Sequence, residues 1–259
     1  MTNLDKIDNI YFKREDQNPT GSAKDRVIPQ IVDFIKQQQF QEAVISSTGN
    51  AAISAQHFCQ QQNIKLTTFI SPKIDPQKLK LIKNPIISPK PISAAFKYAK
   101  QNQAYFIRLS TDKLSMHYRS IATELLEQLP QITDIYIPSG SGATALNIAL
   151  HLPKHIKVFI VQPASHCPLA SIYDHDYLPE STTITQALSA KFLPLKEEIK
   201  KTIKYGLVIQ NNQVIEAQKF LQENNIITSP EGALALAGYF KNQSNHDDYP
   251  VILLTGKKR

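Results

Sequence analysis

The sequence predicts an α/β protein with a mainly parallel sheet, and three observations lead to this prediction. Short apolar runs of strand length alternate with longer runs of helical periodicity along most of the 259 residues. Such alternation is typical of βαβ units, whose strands are parallel. Glycine-containing turns at 47–50 and 139–142 follow apolar strands and precede helical runs. The composition, 42% hydrophobic and 20% charged, is that of an ordinary globular chain.

In the first half of the chain, predicted strands and helices follow one another in turn. The strands are predicted at 10–15, 43–46, 66–70, 85–87 and 105–109. The helices are predicted at 24–39, 50–62, 77–82 and 93–100. We expect the strand at 105–109 to close a first layered unit.

The second half continues the alternation, with one weak stretch at 165–194 that we interpret as a surface loop. The strands are predicted at 134–138, 157–161, 208–209 and 251–254. The helices are predicted at 114–129, 146–150, 212–222 and 232–240.

Charge and composition exclude several functional classes. The net charge of +7 is moderate and its lysines and arginines are scattered, so we expect no nucleic-acid partner. No stretch approaches 18 uncharged apolar residues and no apolar signal segment opens the chain, so we expect no membrane association and a cytoplasmic location. The two cysteines make no disulfide framework, and the histidines and aspartates at 166–176 lack the spacing of a metal site.

The turn-rich stretch Asn18–Arg26 leads into the first predicted helix. Pro19 and Gly21 are turn residues, and Ser22 can cap a helix. This pattern predicts that Lys24 lies in the first helical turn, near backbone N–H groups that attract anions. A lysine that is not permanently protonated can form a Schiff base with a carbonyl. Taken alone, a lysine at a helix start is more often a solvated surface residue.

Two further loops join a strand to a helix. Residues 46–50 combine hydroxyl side chains with helix-start N–H groups, which suits a carboxylate, although a simple helix cap is the alternative. Residues 140–144 let the backbone approach a phosphate, although a plain glycine-rich connection is the alternative. Neither GxxxxGK nor GxGxxG occurs, so neither a P-loop nor a dinucleotide fingerprint is supported.

Together and in this order, Asn18–Arg26, Ser46–Ala52 and Pro138–Thr144 resemble the fold-type II pyridoxal-phosphate enzymes, the tryptophan synthase β-like superfamily. Threonine synthase-like members are the most similar. The resemblance extends from about residue 10 to the end of the chain. It implies two three-layer αβα units, at 1–112 and 113–259, and a chain shortened before the lysine loop and after Thr255.

The resemblance implies a role for each matched residue. Lys24 would bind pyridoxal 5′-phosphate as a Schiff base and act as catalytic base and acid. Asn50 would contact the cofactor's phenolic oxygen, and Thr255 would lie near its pyridine nitrogen. The residues implied to bind the cofactor phosphate are Gly140, Ser141, Gly142, Ala143 and Thr144. The residues implied to bind the substrate carboxylate are Ser47, Thr48, Gly49 and Asn50.

The implied activity is that of a pyridoxal-phosphate-dependent lyase, which acts on an amino acid by elimination or replacement at the β or γ carbon. The Ser46–Asn50 loop and Thr255 favour a threonine synthase-like enzyme. Two departures are Ala51, where threonine synthases often have threonine, and Ala23, where phenylalanine is common. A serine/threonine dehydratase, a cysteine synthase-like enzyme and a non-catalytic homologue that binds the cofactor or an amino acid are the alternatives. A homodimer is expected from the resemblance alone.

Overall fold

The structure is a computed structural model that describes residues 1–47, 49–72, 74, 76–188, 190, 192–242 and 248–259. The chain divides into two compact units. The four-stranded unit consists of Pro19–His117 and Arg259, and the six-stranded unit consists of Met1–Asn18 and Tyr118–Lys258. Each unit is built on a largely or wholly parallel sheet with helices packed against it, so the predicted α/β class is confirmed.

The strands and helices follow one another along most of the chain. In chain order, the strands are β1 (Leu4–Ile7), β2 (Ile10–Lys13), β3 (Glu42–Ser46), β4 (Lys65–Ile70), β5 (Ile86–Ile87), β6 (Tyr105–Ile107), β7 (Asp134–Pro138), β8 (Lys157–Pro163), β9 (Tyr205–Ile209) and β10 (Pro250–Leu253). The α-helices are α1 (Ile28–Gln37), α2 (Asn50–Gln61), α3 (Pro76–Leu79), α4 (Pro91–Gln101), α5 (Arg119–Gln128), α6 (Ala143–Ala149), α7 (Lys196–Thr202), α8 (Asn211–Glu223) and α9 (Pro230–Lys241).

The four-stranded unit has the strand order β5-β4-β3-β6, with parallel pairing throughout. Helix α1 buries Ile28, Ile31, Val32 and Ile35. These positions are three or four residues apart and therefore lie on one face of the helix. Helix α2 starts four residues after β3 ends, so the loop at 47–49 lies at the carboxyl end of an inner strand.

The six-stranded unit has the strand order β1-β2-β10-β7-β8-β9, in which β1 is antiparallel to β2 and the other neighbours are parallel. Tyr136 on β7 stacks on Phe159 of β8, with ring centroids 4.7 Å apart and an interplanar angle of 6°. Helix α9 buries every residue from Glu231 to Tyr239 and packs on β7, β8, β9 and β10. The loops after β7 and β10 both lie at the carboxyl edge of this sheet, because the two strands are parallel neighbours.

The division between the units differs from the predicted boundaries of 1–112 and 113–259. The structure groups Met1–Asn18 with the residues that follow His117. The cause is strand pairing, because β2 lies parallel to β10 and β1 lies antiparallel to β2. The pairing joins residues about as far apart in sequence as this chain allows, for example Tyr11 and Val251.

Two elements of the six-stranded unit escaped prediction. Strand β1 is half-buried and short, and its sequence Leu-Asp-Lys-Ile alternates too briefly to indicate a strand. Helix α7 buries Ile199 in a sequence that is otherwise mostly lysine, glutamate and threonine. A single buried residue gives no helical period, which explains why the pattern around 196–202 was not interpreted as a helix.

A buried ion pair joins strand β2 to helix α5 in the six-stranded unit. The side chain of Lys13 is fully buried, and its Nζ donates to Glu124 Oε2 at 2.6 Å and to Gln128 Oε1 at 2.8 Å. Nζ also donates to the backbone carbonyl of Thr2 at 2.9 Å. The lysine therefore joins β2 to α5 and to the residues before β1.

The two cysteines differ in exposure. Cys59 lies in α2 and is 1% exposed, as expected of a core residue, and burial raises the pKa of its thiol to about 12. Cys167 is only partly buried. Because the thiolate is the reactive form, we expect iodoacetamide at neutral pH to alkylate Cys167 and to spare Cys59. Peptide mass spectrometry of the folded protein measures this, with urea-unfolded protein as the control in which both react. Equal labelling of both residues in the folded protein would contradict the structure.

Among the described residues, no helix is both long and apolar enough to cross a bilayer. The described residues also contain no cluster of three or more histidine, cysteine, aspartate or glutamate side chains that could hold a metal ion. Asp174, one of the acidic residues in the loop after β8, instead pairs with Lys241 at 2.6 Å and accepts the Val208 N–H at 2.7 Å.

Candidate active site

Lys24 lies in a 3₁₀ turn, Ala23–Arg26, and not in the first turn of an α-helix as the sequence predicted. Helix α1 begins four residues later, and Pro29 occupies its first turn. Proline fits there because the first helical N–H groups have no intrahelical acceptor. In a helix that began at Lys24, the ring of Pro29 would clash with the carbonyl of Asp25. Lys24 therefore does not lie at the N-terminus of an α-helix, and the 3₁₀ turn itself positions the lysine.

The lysine turn is held by the buried carboxylate of Asp25. Oδ2 accepts the Thr20 backbone N–H, and Oδ1 accepts the Thr20 hydroxyl, both at 2.6 Å. Oδ1 also accepts the hydroxyl of Ser54, a buried residue of α2, at 2.6 Å. Gly21 has a φ of 81°, which lets the chain reverse between Thr20 and the turn. Lys24 itself is half-buried between these fixed neighbours.

The loop between β3 and α2 ends at Asn50, the first residue of the helix, with Gly49 as its N-cap. The Ser47 hydroxyl oxygen accepts the Gly49 backbone N–H at 3.3 Å. The Asn50 side-chain oxygen accepts a hydrogen bond from Nε of Arg259 at 3.1 Å. Thr48, which was predicted to belong to the same site, lies outside the described residues. Asp25 and Ser54 connect this helix to the lysine turn within the four-stranded unit.

Two features of the four-stranded unit fit a bound ligand. A Cβ built on Gly49 would meet no heavy atom within 4 Å among the described residues, so the space beside its Cα is open. Ser22 is fully buried, and among the described residues its Oγ has no hydrogen-bond partner. Because a buried hydroxyl nearly always finds a partner, a ligand atom that reached Ser22 would satisfy it.

The loop at residues 139–142, called the glycine loop, follows β7 in the six-stranded unit. The side chain of Gln162 on β8 holds it in place. This buried amide donates through Nε2 to the carbonyls of Ser139, at 2.9 Å, and Gly140, at 3.3 Å. Its Oε1 accepts the backbone N–H groups of Leu169 and Ala170 at 2.8 and 2.9 Å. The loop then enters α6, whose first N–H groups have no intrahelical acceptor and can donate to an anion.

Gly142 has a backbone conformation that strains any L side chain, and a Cβ there would also displace the ends of two buried side chains. Its φ is +84°, and a Cβ there would lie 2.3 Å from Ile199 Cδ1 and 3.0 Å from Leu169 Cδ1. We expect Gly142→Ala to lower the free energy of unfolding by roughly 2–3 kcal/mol, because backbone strain and overpacking add. Urea denaturation of the cofactor-free protein measures this.

Gly140→Ala is the matched control, because its Cβ would approach no atom closer than 3.5 Å. We expect the free energy of unfolding of this variant to stay within about 1 kcal/mol of the wild type, the size of the change that Gly→Ala makes at an unstrained position. Equal destabilisation by the two substitutions would show that the left-handed conformation of Gly142 is not what the loop requires.

Thr255 follows β10 and is half-buried. The strand end is fixed by the Leu254 N–H, which donates to the Lys13 carbonyl at 3.0 Å. The backbone carbonyl of Gly256, which follows Thr255, accepts hydrogen bonds from the Thr228 hydroxyl and the Ser229 N–H, both at 2.8 Å. Ser229 is the N-cap of α9, and its buried Oγ lacks a hydrogen-bond partner among the described residues. The Ser229 hydroxyl, like that of Thr255 in the adjoining turn, can therefore hydrogen-bond to a ligand.

A family model described as "Pyridoxal-phosphate dependent enzyme" matches residues 1–256 of the chain. This chain belongs to that family. Its cofactor is therefore pyridoxal 5′-phosphate, and the predicted membership of the fold-type II, tryptophan synthase β-like superfamily is confirmed.

Solved structures of this kind share the fold. Maize serine racemase has a TM-score of 0.84 at 20% identity, over 96% of this chain and 83% of that one. The processed form of threonine deaminase isoform 2 from Solanum lycopersicum has a TM-score of 0.86 at 18% identity, over 100% of this chain and 84% of that one. O-ureido-L-serine synthase has a TM-score of 0.85 at 15% identity, over 99% of this chain and 88% of that one.

This pyridoxal-phosphate enzyme positions its loops with residues that sequence motifs did not mark. Asp25 stood inside the lysine motif, but only the structure reveals its three hydrogen bonds. Gln162 ends a hydrophobic strand and carried no signal, although a lone amide at the end of a buried strand could have attracted notice. Arg259 belongs to the basic segment 257–259 and lies in none of the three sequence motifs. No local pattern indicates its contact with Asn50.

Proposed function

We propose that this enzyme catalyses elimination or replacement at the β or γ carbon of an amino acid, with Lys24 as its catalytic residue. Lys24 would bind the cofactor covalently through Nζ, and after the substrate has taken its place would remove and return protons as general base and acid. The observation that supports this most strongly is the fixed lysine turn, in which Asp25 holds Thr20 and Ser54 around a half-buried Lys24. Bound pyridoxal phosphate supplies the electron sink that stabilises negative charge at the substrate's α carbon.

The remaining matched residues would bind and orient. Ser47, Thr48, Gly49 and Asn50 would bind the substrate carboxylate, and the open space beside Gly49 supports this assignment. Asn50 would also donate to the phenolic oxygen of the cofactor. The cofactor phosphate would be bound by the loop residues Gly140, Ser141, Gly142, Ala143 and Thr144.

Thr255 would contact the pyridine nitrogen of the cofactor through its hydroxyl. A neutral hydroxyl does not hold a proton on that nitrogen as a carboxylate would, so it moderates how strongly the ring withdraws electrons. The unpartnered Ser229 hydroxyl beside the same turn supports a polar ligand atom there. Thr255 also favours a threonine synthase-like enzyme, as does the Ser-Thr-Gly-Asn sequence of the loop before α2.

A dehydratase or a β-replacing synthase is the second candidate within the same chemistry. Threonine deaminase and O-ureido-L-serine synthase share this fold, and both names concern amino acids with an oxygen on the β carbon. Ala51 adds weight to this candidate, because a threonine at that position would supply a hydroxyl for a substrate phosphate.

A substrate panel tests the proposal. The cofactor-loaded enzyme is incubated with L-serine, L-threonine, O-acetyl-L-serine plus sulfide, and O-phosphohomoserine, with Lys24→Ala protein as the blank. Threonine from O-phosphohomoserine indicates the threonine synthase-like reaction, a 2-oxo acid with ammonia indicates β-elimination, and cysteine indicates replacement. Absorbance changes on adding amino acids without any product would support a non-catalytic binding homologue and refute the enzymatic proposal. Size-exclusion chromatography of the same preparation tests whether the enzyme is a homodimer.

A further inference from the structure

The side chain of Arg259 belongs to the four-stranded unit, in which it contacts both loops of the candidate site. Nη2 donates to the backbone carbonyl of Thr20 at 2.5 Å, and Nε donates to Oδ1 of Asn50 at 3.1 Å. Burial lowers the pKa of the guanidinium, against which the charge of Asp25 acts. Its neighbours Lys257 and Lys258 are exposed. Arg259 therefore differs from the rest of the basic segment in that it is half-buried and bonded.

These contacts complete a ring of hydrogen bonds. Arg259 bonds Thr20, Thr20 bonds Asp25, and Asp25 bonds Ser54 on α2, the helix that Asn50 begins. The ring returns to Arg259 through Asn50. Each loop is thereby fixed relative to the other at two points, one through Asp25 and one through Arg259.

The contact between Arg259 and Asn50 also fixes which way the Asn50 amide faces. A guanidinium has only donors, so the atom of the amide that meets Nε must be the oxygen. The amide nitrogen then faces the other way. Among the described residues, Nδ2 of Asn50 has no hydrogen-bond partner, so this donor is left for a ligand.

We propose that Arg259 is a positioning residue for the cofactor, which holds the Asn50 amide with Nδ2 as the donor towards the phenolic oxygen. The inference rests on the proposed role of Asn50. Without the guanidinium the Asn50 amide can rotate. In half of its orientations Oδ1 instead of Nδ2 would face the phenolic oxygen, and the two oxygen atoms would repel each other. The half-buried positive charge adds to the effect, because it stabilises negative charge on the same oxygen.

Arg259→Met and the matched control Lys258→Met test this inference, since each removes one positive charge from the same segment. Two quantities are measured. One is the cofactor dissociation constant, and the other is the midpoint pH at which the visible band of the loaded protein is lost as the pH is raised. A donor to the phenolic oxygen favours the deprotonated form of the bound cofactor, so its loss raises the midpoint. For Arg259→Met we expect a rise of about one pH unit and about tenfold weaker cofactor binding. Lys258→Met is expected to match the wild type in both.

The Asn50→Ala background separates positioning from a general structural role. If Arg259 acts through Asn50, Arg259→Met should change the midpoint by less than about a third of a pH unit in that background. A full shift there would overturn the inference, and so would equal midpoints for Arg259→Met and Lys258→Met. A wild-type protein that takes up no cofactor would overturn both this inference and the proposed function, whereas a loaded wild type with unshifted variants overturns the inference alone.

Discussion

The Lys24→Ala protein is expected to lose turnover by about 10³-fold or more while it keeps the wild-type fold. The proposed mechanism uses Nζ both to bind the cofactor and to move protons, and each of these roles contributes factors of this order. The fold should survive because Asp25 and Thr20 hold the turn through two hydrogen bonds to each other, which the substitution leaves in place. Steady-state assays on the substrate found in the panel, together with circular dichroism, measure the two quantities.

Lys97→Ala is the control for this prediction, because Lys97 is exposed on α4 of the same unit. We expect it to retain wild-type turnover. A Lys24→Ala enzyme within threefold of the wild type would refute the catalytic role of the lysine, since the loss of a covalent cofactor attachment cannot be so small.

Lys13→Met is expected to lower the free energy of unfolding by about 3–5 kcal/mol, the largest stability effect that we predict for a single substitution. The lysine is fully buried and donates to Glu124, Gln128 and the Thr2 carbonyl. Its removal leaves the buried Glu124 carboxylate with the Thr2 backbone N–H at 3.2 Å and the Met1 ammonium at 3.8 Å. These partners compensate less of the carboxylate's desolvation than the lysine does at 2.6 Å. Because the chain has no tryptophan, urea denaturation followed by tyrosine fluorescence or circular dichroism measures the loss of unfolding free energy.

Two variants bracket this expectation. Lys65→Met breaks the ion pair with Glu42, but Lys65 is 65% exposed and the cost should stay near or below about 1 kcal/mol. Lys13→Met combined with Glu124→Leu removes both charges and should recover much of the lost stability. If the double variant is as unstable as Lys13→Met alone, packing and not the weakened pairing of the Glu124 charge accounts for the effect.

Features encoded locally could be predicted from the sequence. The loops after β3 and β7 each combine a run of buried apolar residues, a turn with glycine and the start of a helix, and these signals lie within about ten residues of one another. The α/β class follows from the same local alternation. The positive φ of Gly142 agrees with the need for glycine in such a turn.

Features that depend on distant partners could not be predicted. The burial of Lys13 requires Glu124, which lies 111 residues away. The contact of Arg259 with Asn50 joins positions 209 residues apart. The 3₁₀ turn at Lys24 was predictable in principle, because Pro29 indicates where α1 must begin, but Ser22 as a possible helix cap suggested an earlier start.

The measurement that tests the central claim most directly is the identification of the residue that carries the cofactor. The purified protein is incubated with pyridoxal phosphate, reduced with borohydride, digested and analysed by mass spectrometry. The account predicts a visible absorbance band that reduction abolishes and a single modified peptide with the label on Lys24. A colourless protein without a label, or a label on another lysine at equal or greater yield, would contradict it.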